Sequence, residues 1–552
     1  MRRMRLRRVF RARVAQLVVV AVAATAGVFA FGVGSAFASG SYTCTGVAAV
    51  DTPGLQALIS GGGTVTVFGP LPCVGNWTVP VSVTIVGGSP GATLNGNAAD
   101  SVLTATAGGI TLTLRNLKVT NGAAAVEGGG VDMACCANTL NLQNAVVTGN
   151  TASDEGGGVF VDCATLNVTA STISNNTAVF GGGIYAIDFG TVNVTNSSVT
   201  GNTAEEGGGV FFGGFELLNL TGATVSRNSA GFTGGGIFGV EAAFLNGTAS
   251  TISSNSAGSA AVAIGEPLDA AGGGIAADFA YVTLTSTHVS GNTSSGFGGG
   301  IAFEDGGFLF EGGVLPAAAP SGHAGHFPHL SVPSFKAPKG VIPAQPPIIT
   351  LSPGLNLVSS TVDHNTAQVG AGGGIDNFAC FSDSPVVINN STVAFNRATG
   401  SDLDTDSGGG GYSQYGTDCF GPTTASLVAT NSQFGGNTAN SSVGGGIFNV
   451  NYGEFTDTPG AALVTLAQTP VMRLPMYLND NQAKWGGGIF NWGDGANTTL
   501  QPGSHVIHNQ AFVNGGGVFN DCEATLTVVP GAIIAFNTPN QVFTNLGPCL
   551  LD

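Results

Sequence analysis

Twelve glycine triplets, each followed by an apolar or aromatic residue, punctuate this chain of 552 residues between positions 128 and 518. The most regular four begin at Gly156, Gly181, Gly207 and Gly234, so that the triplets recur after 25, 26 and 27 residues. A repeat of that length is too short to bury a core by itself, and it must stack on its neighbours as the turns of a solenoid do. The spacing therefore predicts one repetitive structure rather than several globular domains.

The segments between the triplets alternate β-branched with polar residues, as in residues 164–172 and 190–195. This period of two is typical of β-strands, and no segment after residue 38 keeps a helical period over several turns. Glycine accounts for 89 residues and charged residues for only 9% of the chain, which suits closely stacked backbones. The sequence thus predicts an all-β fold whose strands stack into a single solenoid.

Three sets of residues recur in register with the triplets. Ile or Val follows most triplets, and we expect an internal aliphatic stack there. The next residue is often aromatic and should point to the opposite face of the strand, where the rings would stack along the solenoid. An asparagine stands ahead of most triplets and another follows the last one, and together they should form a ladder of amides with a purely structural role. These asparagines are Asn150, Asn176, Asn202, Asn228, Asn255, Asn292, Asn365, Asn396, Asn437, Asn481, Asn509 and Asn537, and a second short ladder is expected for Asn449, Asn491 and Asn520.

The first 38 residues have the pattern of an export signal. Seven arginines within the first 13 residues precede an apolar run over residues 14–31, and Ala36-Phe37-Ala38 matches an A-x-A cleavage site. The whole chain has 15 basic and 32 acidic residues. Seven of the basic residues and none of the acidic ones lie in this segment, so its removal leaves a net charge of 8 − 32 = −24. That charge disfavours nucleic acids and anionic membranes as partners. No later segment is long and apolar enough to span a bilayer, and we expect a secreted or cell-surface protein.

The nine cysteines suggest disulfides, since exported proteins meet oxidising conditions. Cys135 and Cys163 each lie seven residues after the first glycine of a triplet. They therefore occupy equivalent positions on successive rungs, which are the single turns of the solenoid. Neighbouring strands lie about 4.8 Å apart, within the Cα range of a disulfide, and Cys163 could bridge to Cys135 or Cys136. The other candidate pairs are Cys44 with Cys73, Cys380 with Cys419, and Cys522 with Cys549. Because nine is odd, one cysteine stays unpaired.

Two short motifs carry a family resemblance. Residues 55–66 read Leu-Gln-Ala-Leu-Ile…Gly-Gly-Thr-Val-Thr, and residues 114–122 read Leu-Arg-Asn-Leu-Lys-Val-Thr-Asn-Gly. Together with the repeated Asn-Thr-Ala…Gly-Gly-Gly-Ile-Phe-Asn phrase, they resemble right-handed parallel β-helix proteins of the pectin-lyase-like superfamily. The phrase is also similar to repeats of bacterial polymorphic outer-membrane proteins, although the translocating barrel of that family is missing. The resemblance covers residues 41–543 and implies a single right-handed parallel β-helix. Residues 52–67 pair a short helix start with a glycine break and an alternating strand, so we expect a helical cap over the first rung.

These features divide the chain into five parts. We predict a signal peptide over residues 1–38, an N-terminal cap with the first rungs over 39–127, and β-helix repeats over 128–307. Residues 308–353 are rich in proline and interrupt the repeat, which predicts an extruded loop insertion. Residues 354–552 contain the remaining repeats and the C-terminal end.

Asp402, Asp404 and Asp406 alternate ahead of a glycine run and form the sharpest candidate for a metal site. Alternate carboxylates on an extended turn can offer oxygen ligands to calcium, which is the candidate cofactor of this site. The turn lacks the glycine at the sixth position and the glutamate at the twelfth that calcium loops of this kind carry. The alternative is a solvated acidic turn without a metal.

Other acidic residues stand just before glycine triplets. Glu127 and Glu155 could lie one rung apart, near the separation of a retaining glycosidase pair. The next rung has Val179 and Phe180 at these positions, so we expect solvated carboxylates at the rim instead. Asp154, Glu205 and Glu206 belong to the same set.

The sequence Val362-Asp363-His364-Asn365 is similar to a strand of pectate lyases. Other repeats fill the Asp and His positions with unrelated residues, which favours an ordinary variable turn. Pectate lyases depend on an arginine beside calcium-binding aspartates, and the sequence lacks such an arrangement. It also lacks the Asn-Thr-Asp, Asp-Asp and Gly-His-Gly signatures of polygalacturonases. The resemblance therefore does not carry an activity with it.

The sequence favours a non-enzymatic protein that binds a polysaccharide or another cell-surface ligand. A diverged polysaccharide lyase or glycoside hydrolase and a purely structural envelope component are the alternatives. An acidic cleft lined with aromatic residues would favour an enzyme, whereas a flat surface of Asn, Ser and Thr would favour binding or structure.

Overall fold

The computed structural model describes residues 39–89, 91–134, 136–258, 271–304, 354–379, 383–400, 408–417, 423–452, 460–469, 475–521 and 523–545. Ser39–Asp552 forms one compact unit. Every strand in it pairs in parallel with the equivalent strand of the next rung, in the order of the chain. The predicted single parallel β-helix is thereby confirmed. The signal peptide and the Pro-rich insertion lie outside the described residues.

Each rung follows the same path through three long sheets. Sheet 1 follows the glycine triplet, and its strands are Trp77–Val79, Leu103–Ala105, Val131–Met133, Val159–Asp162, Ile184–Ile187, Val210–Gly213, Ile237–Val240, Ile275–Asp278, Ile301–Glu304, Ile375–Ala379, Tyr412–Thr417, Ile447–Tyr452, Ile489–Trp492, Val518–Asp521 and Val542–Thr544. Sheet 2 comprises Gly40–Thr43, Gly63–Phe68, Val83–Gly87, Thr111–Arg115, Thr139–Gln143, Thr165–Thr169, Thr191–Thr195, Leu217–Thr221, Phe244–Thr248, Tyr281–Thr285, Leu355–Val358, Ser384–Asn389, Thr424–Thr430, Ala461–Ala467, Ala496–Leu500 and Thr525–Val528.

In each rung, the strand of sheet 3 comes just before the recurrent asparagine. Its strands are Cys73–Val74, Ala92–Asn95, Leu117–Thr120, Val146–Thr148, Thr172–Ser174, Ser198–Thr200, Thr224–Ser226, Thr251–Ser253, His288–Ser290, Thr361–Asp363, Thr392–Ala394, Gln433–Gly435, Met476–Asn479, Ser504–Ile507 and Ile533–Ala535. A shorter sheet 4 completes the rungs with Thr203–Glu206, Ser229–Thr233, Ser256–Ala257, Thr293–Ser294, Thr366–Ala367, Arg397–Ala398, Thr438–Val443, Gln482–Trp485 and Gln510–Asn514, and a separate pair joins Ala123–Ala124 to Thr151–Ala152.

The asparagine ladder occupies the turn after sheet 3, which we call the asparagine corner. From Asn150 to Asn509, each Nδ2 donates to the Oδ1 of the next asparagine at 2.9 to 3.1 Å. The same Oδ1 also accepts the backbone N–H of the preceding asparagine, as Asn202 does from Asn176 at 3.0 Å. All twelve side chains are buried. The predicted ladder is confirmed, and its network satisfies a turn that would otherwise bury unpaired polar groups.

The aliphatic residues after the triplets point inward and are buried, as expected. Tyr412 replaces the aliphatic residue in one rung, and its hydroxyl donates to Gln414 Oε1 at 2.9 Å and accepts from Asn377 Nδ2 at 3.1 Å. The second ladder is also confirmed, with Asn449 donating to Asn491 at 3.1 Å. Gln414 extends it by donating to Asn449 at 2.7 Å.

The aromatic residues that follow point outward and stack, as expected, in two columns along sheet 1. Tyr185 and Phe211 stack with ring centroids 4.9 Å apart, and Phe490 and Phe519 do so at 5.1 Å. These rings are nevertheless buried, because residues on the sheet 4 side pack over them. Phe180, for example, meets Phe211 edge to face at 5.8 Å. The outer face of sheet 1 is therefore a second apolar core rather than a free aromatic surface.

The glycine triplets permit this close stacking. A Cβ on Gly183 would lie 2.6 Å from the carbonyl oxygen of Gly209 and 2.9 Å from Asn202 Nδ2. Gly181 has a φ of +61° and lies against the backbone of its own strand. Any other residue at these positions would push neighbouring rungs apart.

A helix at Ala48–Gly61 covers the N-terminal end of the solenoid, as predicted. Leu55 and Ile59 from this helix are fully buried in the main core. Asp51 accepts the backbone N–H groups of Thr45 and Val74 at 2.9 and 3.0 Å, which ties the helix to the flanking chain. No helix among the described residues is long and apolar enough to cross a membrane.

Candidate functional site

Phe189 and Phe215 lie at the outer corner where the chain passes from sheet 1 to sheet 2. They occupy successive rungs, with ring centroids 5.2 Å apart and an interplanar angle of 5°. Phe189 is 61% exposed and Phe215 is 42% exposed, in contrast to the buried rings of sheet 1. Two parallel rings that face solvent offer a ligand an apolar platform.

The backbone at both phenylalanines is left-handed, with φ of 62° at Phe189 and 65° at Phe215. The same conformation recurs at Cys163, Ala242 and Phe279, so it belongs to this turn of the fold. An aromatic residue there accepts a conformation that glycine would take without strain. The fold therefore explains the turn but does not explain the two exposed rings.

Glu216 follows Phe215 and reaches back by one rung. Its Oε2 accepts the backbone N–H of Gly190 at 2.6 Å, whereas its Oε1 is buried and has no hydrogen-bond partner. A Cβ on Gly190 would lie 2.8 and 2.9 Å from the two carboxyl oxygens, so only glycine leaves room for them. The Glu216 side chain is fully buried behind the two aromatic turns.

The pKa of Glu216 is raised to about 9. Burial is the main cause, the charges of Asp188 and Asp162 act in the same direction, and the hydrogen bond from Gly190 opposes them. Burial together with the charge of Asp188 also raises the pKa of Glu241 on the next rung. We call Asp162, Asp188, Phe189, Phe215 and Glu216 the aromatic corner. It combines an apolar platform with a buried carboxyl group, that of Glu216, which burial holds neutral at neutral pH.

The outer face of sheet 2 continues from this corner as a flat surface of amides and hydroxyls. Asn141, Asn167, Asn193, Asn219 and Asn246 form a half-exposed amide ladder with spacings of 2.9 to 3.2 Å. Threonines flank these asparagines on the same face in most of the rungs. At one end of this face, Phe244 stacks on Tyr281 at 5.1 Å with an interplanar angle of 8°. The surface is of the flat kind that favours binding or structure over catalysis.

Asp363 and His364 lie on the outer side of sheet 3, away from the aromatic corner. Asp363 Oδ1 lies 2.8 Å from His288 Nε2, and its Oδ2 lies 3.5 Å from His364 Nδ1. Burial would raise the pKa of Asp363, but hydrogen bonds from Ser290 and His288 and the nearby histidines outweigh it and lower the pKa. The carboxylate is thus held ionised, which makes it a poor proton donor. His364 also stacks on Phe395 at 5.3 Å.

Glu127 and Glu155 are neighbours in register, as expected from their offsets, and Phe180 follows them on the next rung. Glu155 is buried, however, and the expectation of solvated carboxylates is wrong for this residue. Its backbone N–H donates to Val126 O at 3.1 Å in the turn before the triplet. Glu127, Asp154, Glu205 and Glu206 are partly exposed.

One predicted disulfide is formed in the structure, between Cys44 and Cys73, with a Cα–Cα distance of 4.6 Å. Cys136 and Cys163 carry free thiols that are hydrogen-bonded to each other. This hydrogen bond lowers the pKa of Cys136 and raises that of Cys163. The two residues lie on adjacent rungs, since Ala137 N donates to Cys163 O at 2.9 Å. The cross-link of Cys163 to Cys135 or Cys136 stays a prediction.

The proposed calcium turn cannot be placed on this fold, since Asp402, Asp404 and Asp406 lie outside the described residues. The same holds for the remaining disulfide candidates, which are Cys135, Cys380, Cys419, Cys522 and Cys549. Within the ranges that the structure describes, no group of three His, Cys, Asp or Glu side chains is arranged to hold a metal ion.

The sequence did not single out the aromatic corner or His288. Phe189 and Phe215 lie in turns of three residues, whereas the preceding rung has a turn of two residues, Cys163 and Ala164. Phe189 and Phe215 nevertheless lie equally far after Gly181 and Gly207, the first glycines of their triplets, and this shared offset could have revealed the pair. His288 could have been found by counting back four residues from Asn292, which places it on the rung before Asp363.

The strand pairing defines a parallel β-helix repeat protein with an exposed aromatic corner. Comparisons of the chain with protein-family models, with curated proteins and with solved structures return no match.

Proposed function

We propose that this protein is an exported, non-enzymatic β-helix that binds polysaccharide along its outer surface. The observation that carries the proposal is the exposed Phe189–Phe215 stack beside the amide face of sheet 2. Sugar rings present apolar C–H faces that pack on aromatic rings, and their hydroxyls exchange hydrogen bonds with amides and threonines. Successive rungs repeat the amides and threonines of sheet 2 about every 4.8 Å, which suits a linear polymer.

The remaining features of the chain agree with this proposal. The Arg-rich, apolar N-terminal segment supports export, and residues 41–543 resemble the pectin-lyase-like superfamily and the repeats of polymorphic outer-membrane proteins. Both features support a location outside the cytoplasm as part of the proposal. The pairing of Asp363 with two histidines and the burial of Glu155 argue against a pair of carboxyl groups that share acid and base roles.

A panel of soluble polysaccharides tests this proposal, with binding measured by calorimetry and sugar release measured in parallel. We expect binding to at least one polymer without release of sugar. The double variant Phe189→Ala, Phe215→Ala should weaken that binding at least about tenfold, since stacked aromatic anchors dominate such interfaces. Phe536→Ala is the matched control, because Phe536 is 72% exposed and stacks on His508 at another corner.

Sugar release that stops in Asp363→Ala or Glu155→Ala while the circular dichroism spectrum is unchanged would establish the alternative, a diverged lyase or hydrolase. Binding that the double variant and the Phe536→Ala control weaken equally would remove the aromatic corner from the proposal.

A further inference from the structure

The amide ladder on the outer face of sheet 2 uses only half of its hydrogen-bonding capacity. Asn193 Nδ2 donates to Asn167 Oδ1 at 2.9 Å, and its own Oδ1 accepts from Asn219 Nδ2 at 2.9 Å. An asparagine side chain has two N–H donors and an oxygen with two lone pairs. Among the residues that the structure describes, one N–H and one lone pair of Asn193 therefore meet no protein partner, and the half-exposed side chain presents them to solvent.

The buried ladder at the asparagine corner has no such spare capacity. Asn202 Nδ2 donates to Ile173 O at 3.1 Å and to Asn228 Oδ1 at 3.0 Å. Its Oδ1 accepts both the backbone N–H and the Nδ2 of Asn176 at 3.0 Å. The fold thus completes one ladder and leaves the other half-used on five successive rungs, at Asn141, Asn167, Asn193, Asn219 and Asn246.

The side chains around the half-used ladder form a flat and neutral surface. The six strands from Thr139–Gln143 to Tyr281–Thr285 pair residue by residue, without a shift of register. Every outward position of these strands carries an uncharged residue, although the chain as a whole is acidic. A row of threonines borders the amides with methyl groups, at Thr169, Thr195, Thr221 and Thr248. The surface therefore offers a neutral ligand amides and methyl groups, and it offers a charged ligand no ion pair.

The spacing of the ladder is that of hydrogen-bonded amides. A trans amide accepts a hydrogen bond at its C=O on one side and donates one from its N–H on the other. Backbone amides aligned in this way repeat about every 4.8 Å across a sheet, and the asparagines share this step because they lie on successive strands. A hydroxyl group donates and accepts at a single atom and does not span such a step. An acetamido group of a ligand can therefore accept from the spare N–H of one rung and donate to the spare lone pair of the next.

We propose that the sheet 2 ladder recognises a neutral polysaccharide of N-acetylated amino sugars, with its acetamido groups bonded to the spare amide groups and its acetyl methyls against the threonine row. This inference rests on the proposed function and specifies the substituent of the ligand. Phe215 precedes the first residue of the strand Leu217–Thr221 by two residues, so a polymer on the aromatic corner can continue onto the ladder. Each bond to an exposed amide adds little, but bonds on several rungs act together.

The test compares three soluble probes of the same length and linkage: an oligomer of N-acetylglucosamine, the same oligomer without its acetyl groups, and an oligomer of glucose. Binding is measured by calorimetry in about 0.5 M salt, which screens the general attraction between the free amines and an acidic protein. We expect the N-acetylated oligomer to bind at least about tenfold more tightly than the glucose oligomer. The deacetylated oligomer should bind no more tightly than the glucose oligomer, because it has lost the amide.

The double variant Asn167→Thr, Asn193→Thr removes two amides and keeps the strand. Threonine already occupies this column at both ends of the ladder, at Thr113 and Thr283, so the fold should be kept, and circular dichroism checks it. We expect the variant to bind the N-acetylated oligomer at least about tenfold more weakly and the glucose oligomer unchanged. Asn479→Thr is the matched control, because it removes a half-exposed amide from sheet 3, and it should keep the full preference.

The outcomes distinguish the two proposals. If the N-acetylated and glucose oligomers bind equally and the double phenylalanine variant weakens both, the proposed function stands and the preference for acetamido groups is overturned. The same holds if a polymer of the panel binds but none of the three oligomers does. If the double asparagine variant keeps the preference, or lowers it no more than Asn479→Thr does, the ladder is not the site and this inference is overturned. If none of the probes or panel polymers binds, both proposals fail.

Discussion

The asparagine corner presents the same residue on twelve rungs, whereas the aromatic corner changes from rung to rung in length and in chemistry. Every ladder asparagine is buried and bonded to its neighbours. At the other corner, two successive rungs expose Phe189 and Phe215, and the second of them also buries Glu216. The rung before them carries Cys163. Both corners turn the chain from one strand of a rung to the next strand of the same rung.

This difference separates what the stack requires from what it tolerates. Close stacking leaves one solution at the asparagine corner, because its polar groups are buried and must be satisfied by the adjoining rungs. The aromatic corner faces solvent, so its side chains can vary without a cost in stacking. Residues that repeat therefore report on the fold, and binding residues are to be sought where the repeat breaks.

The largest effect is expected from Asn202→Ala. The side chain of Asn202 donates to Ile173 O at 3.1 Å and to Asn228 Oδ1 at 3.0 Å, and it accepts from Asn176. Its removal leaves several buried polar groups unpaired and should cost about 3 to 5 kcal/mol, measured by urea unfolding. Asn193→Ala, in the half-exposed ladder of sheet 2, is the control and should cost less than about 1 kcal/mol. Equal losses would contradict the special role of the asparagine corner.

Glu216→Gln should stabilise the protein at neutral and alkaline pH. The pKa of Glu216 is raised from 4.5 to about 9 in the folded state, so folding retains a proton that the unfolded chain releases. Stability is therefore complete below about pH 4.5 and falls as the pH rises toward 9. Glutamine removes this titration, and the gain should grow over the same range to several kcal/mol. A difference in urea midpoint that does not change with pH would show that Glu216 is not the titrating group.

The predicted cross-link at Cys163 should be worth about 3 kcal/mol, because it would close a loop of nearly thirty residues. After oxidation with glutathione disulfide, peptide mapping without reduction should recover Cys163 joined to the peptide of Cys135 and Cys136. The lowered pKa of Cys136 favours attack by its thiolate. Cys163→Ser should lower the urea midpoint of the oxidised protein only. Alkylation of Cys163 in protein that was never reduced would contradict the bridge.

Phe189→Gly should have the smallest effect on stability. Glycine relieves the left-handed backbone at φ 62°, but the stacking with Phe215 is lost, and the two terms should cancel within about 1 kcal/mol. The same change should weaken polysaccharide binding, whereas Asn202→Ala tests the stability of the fold. A large drop in the urea midpoint would show that the exposed rings are structural.

Much of the fold could be predicted from the sequence because its determinants repeat. The position of each asparagine and each inward Ile or Val follows from its distance to a glycine triplet, and the strand register agrees with that count. Burial of the outward aromatic column was not foreseen, since it depends on sheet 4, whose strands vary in length and shift register, as between Ala204 and Glu206.

The candidate site was harder to predict because the repeat aligns its residues without indicating their contacts. Gly190 and Glu216 lie equally far after the first glycine of their triplets, but nothing in that spacing indicates that the Glu216 carboxyl group turns back to Gly190 N. His288 and Asp363 are 75 residues apart, with the Pro-rich insertion between them. Such contacts become visible only when the rungs are stacked, so spacing predicts them poorly even where it predicts the strands well.

The asparagine ladder also has a direction. Each amide donates toward the C-terminal end, and at the last rung Asn537 Nδ2 donates to Gln541 Oε1 at 2.9 Å, in place of a further asparagine. At the other end, the backbone N–H of Gly122 donates to Asn150 Oδ1 at 3.0 Å. Since every interior rung offers and receives the same bonds, whole rungs can be gained or lost by gene duplication or deletion without leaving an unpaired amide. The length of this protein is thus free to evolve in single rungs, with Gln541 as a terminator that fits whichever rung comes last.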